Sequence, residues 1–116
     1  MSSKKTVNPI GYFKCAELER LGRHEEALQC YNKAIELNPN YDAAWNNKGN
    51  TLENLGRREE ALQCYNKAIE LNHHHPDAWR NKGVALWKLG RREEARQCIK
   101  KAVELGPRFS KLFGDR

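Results

Sequence analysis

Three adjacent histidines, His73-His74-His75, the run His24-Glu25-Glu26 and four cysteines are the groups in this 116-residue chain whose types could do chemistry. Neighbouring histidines can bind a transition metal, but residues on a turn alternate in direction and supply too few fixed ligands for a dedicated site. His24-Glu25-Glu26 lacks the second histidine of a zinc-protease helix, and no glycine-rich phosphate loop carries the Lys-Ser/Thr pair that nucleotide binding needs. A serine-centred nucleophile elbow is also missing. The remaining acids are explained by helix starts and by i to i+4 pairing with bases, so the sequence predicts no catalytic residue, no metal and no cofactor.

Cys30, Cys64 and Cys98 recur at one fixed interval, whereas Cys15 stands apart. Packed helices lie about 8–10 Å apart, while a disulfide needs Cα atoms within about 7 Å and zinc needs sulfurs at about 2.3 Å. The expectation is therefore four small, half-buried thiols in a reducing, cytoplasmic compartment.

That fixed interval organises the whole chain. Trp45 and Trp79 lie 34 positions apart, and Leu55 to Asn72 repeats Leu21 to Asn38 with only Arg58 in place of His24. Such self-similarity predicts stacked copies of one small unit. In the middle copy, Trp45, Gly49, Leu52 and Leu55 keep one face of a first helix apolar, and Gly56 ends it because glycine tolerates positive φ. A second stripe, Ala61, Leu62, Tyr65, Ala68, Ile69 and Leu71, follows two acids in its first turn, Glu59 and Glu60. Two antiparallel helices per copy result.

The pattern resembles the tetratricopeptide repeat, a helix-turn-helix unit of the same length. Trp45, Gly49, Leu52, Gly56, Ala61, Tyr65, Ala68 and Pro39 stand at its signature offsets, and Trp79, Gly83, Leu86, Gly90, Ala95, Ala102 and Pro107 repeat most of them. The resemblance implies an all-α fold: a right-handed solenoid of three repeats, near residues 8–41, 42–75 and 76–109, with a short C-terminal helical segment over 110–116. Gly11 and Cys15 replace the Trp and Gly of the first copy, which predicts a looser leading helix there. Asn72-His73-His74-His75-Pro76 reads as a variant turn that preserves the period. Lys14, Lys48 and Lys82 occupy a site the family often gives to leucine, where the alkyl stem can line the seam while the ammonium reaches water.

In proteins of this kind the first helices line a concave groove that holds a peptide. The columns of aligned first-helix positions are then Tyr12, Asn46 and Arg80; Ala16, Asn50 and Val84; Glu19, Glu53 and Trp87; Phe13, Asn47 and Asn81; and Arg20, Asn54 and Lys88. Asn46, Asn47, Asn50 and Asn81 can donate and accept toward an extended backbone. Arg80 and Lys88 offer charge to an acidic group, and Val84 with Trp87 offers an anchor surface. Tyr12 completes the expected peptide-binding set. One subgroup of the family clamps a terminal carboxylate with Lys, Asn and Arg, but here Tyr12, Ala16, Asp77 and Asn81 stand at four of the five positions, and only Asn47 matches. Asp77 would repel such a carboxylate.

The net charge of +6 raises the question of an acidic partner or of RNA. Arg57-Arg58-Glu59-Glu60 and Arg91-Arg92-Glu93-Glu94 mix both signs within one turn, as solvated helix entrances do, so nucleic acid is not expected. No apolar run approaches a membrane span and no signal peptide opens the chain. The leading expectation is a non-enzymatic scaffold or adaptor for a protein or peptide partner. The alternative is a self-assembling module joined head to tail as a homo-oligomer, because the segment after Pro107 is a short and apolar cap.

Overall fold

A computed structural model describes the backbone of residues 9–106 and the side chains from Lys14 onward. The expectations for Tyr12, Phe13 and the cap over 110–116 therefore fall outside the described residues. Within them the chain forms α1 (Pro9–Arg20), α2 (His24–Leu37), α3 (Asp42–Asn54), α4 (Arg58–Leu71), α5 (Pro76–Lys88) and α6 (Arg92–Leu105), with no strand. The fold is an all-α helical repeat solenoid, in which α1–α2, α3–α4 and α5–α6 pack as hairpins and each joins the next through α2–α3 and α4–α5.

Each hairpin turns on one glycine. Gly56 sits at φ +79°, its N–H donates to Glu53 O at 2.9 Å, and the next N–H, of Arg57, reaches back to Leu52 O at 2.8 Å. Those two bonds satisfy carbonyls that the end of α3 would otherwise leave open. Gly22 and Gly90 repeat the arrangement.

Arg57 then clamps the start of α4, its Nε and Nη2 donating to Glu60 at 2.6 and 3.0 Å. Arg23–Glu26 and Arg91–Glu94 do the same for α2 and α6. The hydrogen bond from its arginine, more than charge alone, holds each of these three carboxyls below the usual carboxylate range. Three of the 21 lysines and arginines are thereby held locally.

The main core lies between the hairpins and is built from Leu28, Leu52, Leu62, Tyr65 and Leu86 with small residues between them. Trp45 and Trp79 lie against it, their indole N–H groups donating to Pro39 O at 2.9 Å and His73 O at 3.0 Å. The histidine turn thus preserves the linkage made by its predecessor. His75 caps α5, its Nδ1 accepting from the Ala78 N–H at 3.3 Å. Among the described residues no cluster of His, Cys, Asp or Glu could hold a metal ion.

The cysteine expectation fails at one pair. Cys15 and Cys30 form a disulfide with Cα atoms 5.3 Å apart, while Cys64 and Cys98 are free and buried. The distance between helix axes is not the distance between facing residues. Cα atoms lie about 2.3 Å off each axis, so where they face one another across a spacing of about 8–10 Å they approach to about 3.4–5.4 Å. Cys15 occupies such a place: it is the counterpart of Gly49, where an added Cβ would stand 2.4 Å from Tyr65 Cε1.

Candidate binding face

The first helices carry the groups expected to meet a ligand, but the fold occupies several of them. Asn46 and Asn81, expected to face a peptide, are 6% and 9% exposed, and Asn81 Nδ2 donates to Asn46 Oδ1 at 3.0 Å. They tie α3 to α5. Asn50 is half-buried and accepts at 2.7 Å from the Tyr65 hydroxyl, a bond within the second hairpin. Asn47 is half-buried as well.

The column containing Glu19, Glu53 and Trp87 forms a seam whose chemistry changes along the stack. Glu19 accepts two hydrogen bonds, from Thr51 Oγ1 at 2.9 Å and from Asn54 Nδ2, while His24 Nδ1 lies 2.9 Å away without forming a hydrogen bond. One repeat later, Glu53 has Arg58 Nε at 3.8 Å and Lys88 Nζ at 3.9 Å, beyond hydrogen-bond length. Ala85 stands where Thr51 would supply a hydroxyl, and Glu53 Oε2 and Arg58 Nε are buried with no hydrogen-bond partner. In the third repeat the acid is replaced by Trp87, which is 47% exposed with the Arg92 guanidinium 4.9 Å from its ring centroid.

The same helix carries exposed Lys88 next to Trp87 in sequence and, one and two turns toward its start, half-buried Val84 and exposed Arg80. Arg80 is close enough to influence the Tyr65 phenol. Burial pushes that phenol well above its ordinary value, Glu53 adds to the rise, and Arg80 opposes it. Tyr31, its counterpart in the first hairpin, is pushed up to about 12 by burial with a smaller contribution from Glu19.

Arg80, Val84, Trp87 and Lys88 thus form the more open part of the expected set, at one end of the first-helix face. Asn46, Asn81 and Asn50 are drawn into the scaffold, and the Tyr12 side chain lies outside the described residues. Asp77 is half-buried in the first turn of α5. Arg92 was missed because it belongs to a second helix, yet its offset from Trp87 equals that of His24 from Glu19 and Arg58 from Glu53. On another face, Lys48 and Lys82 set their ammonium groups 5.4 and 5.6 Å from the rings of Trp45 and Trp79, so the stem-along-the-seam expectation gains a cation–π contact. Clefts beside those tryptophans recur in successive repeats and follow from the fold.

Comparison with known proteins gives matches to family models described as tetratricopeptide repeat over residues 43–75 and 76–109, and as TPR repeat over residues 20–56. TPR repeat-containing protein MJ0941 of Methanocaldococcus jannaschii is 56% identical over 32 residues, which is 28% of this chain and 10% of that protein. The uncharacterised protein MJ0572 of the same organism is 54% identical over 37 residues, covering 32% of this chain and 43% of that protein. The chain thus matches less than half the length of either relative.

Among solved structures, the first TPR of Spaghetti (RPAP3) bound to the HSP90 peptide SRMEEVD superposes with a TM-score of 0.82 at 25% identity, over 87% of this chain and 83% of that one. YrrB, a TPR protein with an unusual peptide-binding site, superposes at 0.77 with 32% identity, over 84% of this chain and 50% of that one. MamA superposes at 0.81 with 25% identity, over 93% and 63%.

Proposed function

Because the chain belongs to the tetratricopeptide repeat family, with three repeats in tandem, we propose that it is a non-enzymatic adaptor that holds a peptide segment of a partner protein against the α5 end of its first-helix face. The observation that carries this reading is Trp87, nearly half exposed with the Arg92 guanidinium over its ring, on the same helix as exposed Arg80 and Lys88. A large aromatic side chain beside cations suits a segment in which an apolar anchor neighbours an acidic residue. The peptide-bound repeat domain of RPAP3 supports the class of ligand.

The mode differs from a carboxylate clamp. Ala16 supplies no amide and Asp77 no cation at their clamp positions, and Asn81, at the position of the clamp's arginine, has its amide bonded to Asn46. Recognition of acid falls instead to Arg80 and Lys88, with Arg92 extending the cationic edge. Nucleic acid fits less well, since Arg23, Arg57 and Arg91 are each held by a glutamate. Head-to-tail assembly is also disfavoured, because Arg96 stands at the α6 position where Leu28 and Leu62 enter the core.

An array of octapeptides pairing Asp or Glu with Leu, Val or Met, beside the same peptides with Lys for each acid, tests the reading. Acidic members should be retained, and replacing Arg80 and Trp87 together by Ala should weaken retention by about thirtyfold, equivalent to about 2 kcal/mol. Equal retention of acidic and basic members, or an unchanged double variant, would place the site elsewhere.

A further inference from the structure

We propose that Cys15 and Cys30 form a reversible thiol–disulfide exchange site that fixes α1 to the repeat stack when oxidised and releases it when reduced. The site is specific to the first hairpin. Residues 49 and 83, the counterparts of Cys15, are glycines, so the counterparts of Cys30, which are Cys64 and Cys98, have no sulfur across from them. Those glycines allow bulky neighbours: a Cβ added at Gly83 would lie 2.7 Å from Ile99 Cδ1, just as one at Gly49 would strike Tyr65. The first hairpin replaces that close apolar fit with a covalent one.

Among the described side chains, from Lys14 onward, α1 rests on a small cluster. The buried residues of its own core are Cys15, Ala27 and Tyr31, with Leu18 and Cys30 packed at the edge, and this cluster is separate from the main core. Both halves of the cystine belong to it. The disulfide ties α1 to α2 within the first hairpin, and Glu19 links α1 onward to the next hairpin by accepting from Thr51 and Asn54 of α3. Opening the disulfide removes the covalent member of a small cluster. Thr51, fully buried beneath Glu19, then becomes accessible as α1 lifts.

The two sulfurs differ in access, Cys15 being 1% exposed and Cys30 half-buried. In oxidation by a low-molecular-weight disulfide such as oxidised glutathione, Cys30 loses its proton to solvent and its thiolate attacks one sulfur, breaking the small disulfide and expelling one thiolate. The Cys15 thiolate then attacks the Cys30 sulfur of the mixed disulfide and expels the second thiol. Two protein thiols become one cystine, and one small disulfide becomes two thiols. Reduced glutathione drives the reverse, entering at Cys30. Cys64 and Cys98 take no part, being buried, with burial pushing both thiols up.

The full chain is equilibrated in glutathione buffers from fully oxidised to fully reduced, acid-quenched, alkylated in denaturant and weighed intact. The oxidised end should carry two alkyl groups, on Cys64 and Cys98, and the reduced end four. In parallel, hydrogen exchange of the amides in α1 should accelerate at least tenfold on reduction while α5 and α6 keep their protection. Replacing Cys15 and Cys30 together by Ser should reproduce the fast exchange in every buffer, and replacing Cys64 and Cys98 by Ser should leave the response intact. Four alkyl groups at the oxidised end, or α1 exchange that ignores redox state, would overturn the proposal. Neither readout involves a ligand, so the result is independent of the peptide-binding reading.

Discussion

Asn81 Nδ2 donates to Asn46 Oδ1 across the boundary between the second and third hairpins, and both side chains are buried. This pair makes the inter-repeat seam directional, because an amide placed among apolar residues must find its partner or lose a hydrogen bond made in water. Asn81→Ala leaves Asn46 buried and unmatched and should cost about 1–3 kcal/mol in urea unfolding. The double replacement Asn46→Ala/Asn81→Ala should cost less than the sum of the singles. Strict additivity would show that the two amides do not interact in solution.

The under-satisfied Glu53 indicates a stabilising change. Ala85→Ser places a hydroxyl at the position from which Thr51 reaches Glu19, and its bond to the Glu53 carboxylate should add about 1–2 kcal/mol. Glu53→Gln should remove most of that gain. The comparison is made by denaturant midpoint at constant slope, and a destabilised Ala85→Ser chain would mean that the carboxylate is satisfied by other groups.

Alkaline pH should loosen the first hairpin in a defined window. The Tyr31 phenol is pushed from an ordinary 10 to about 12, so the fold favours its neutral form. That contribution is complete below pH 10 and declines as pH rises toward 12, because the unfolded chain loses its proton first. Helicity and tyrosinate absorbance followed together should change in concert over that range. Tyr31→Phe should reduce the pH dependence of stability there, leaving the part contributed by the raised Tyr65 phenol, and an unaltered slope would exclude Tyr31 as a titrating group.

Arg96 should keep α6 from pairing with other chains. It is exposed and bonded to Glu93 at 2.8 Å, at the position where Leu28 and Leu62 are buried. Arg96→Leu extends an apolar seam to the surface and should raise the mass seen by light scattering as concentration rises, while the parent chain changes less. A variant no more associated than its parent would show that α6 is already covered.

The hairpins were legible because the period, the apolar stripes and the glycines agree. Gly56 was expected to end a helix by adopting positive φ, and it does so with both terminal carbonyl bonds in place. The asparagine columns misled for a geometric reason. Aligning repeats at 34 residues assumes that equivalent side chains meet, yet Asn46–Asn81 and Glu53–Lys88 are contacts of i with i+35. Successive first helices are offset, so these pairs meet one place beyond their own copies, while Thr51 reaches back 32 places to Glu19. The disulfide was hidden by a similar simplification, since an axis-to-axis distance overstates how far apart two facing residues lie. Arg92 lay beyond a search confined to first helices.

The indoles of Trp45 and Trp79 are held by main-chain carbonyls, of Pro39 in one case and His73 in the other. A carbonyl is supplied by whatever residue occupies the position, so positions 39 and 73 serve the indoles without depending on their own side chains, while side chains elsewhere in the second linker, such as His75, carry the capping. Proline in one linker and histidine in the next hold their tryptophans through the same bond. The joints between repeats are thus the places where this chain can accumulate new surface chemistry without renegotiating its architecture.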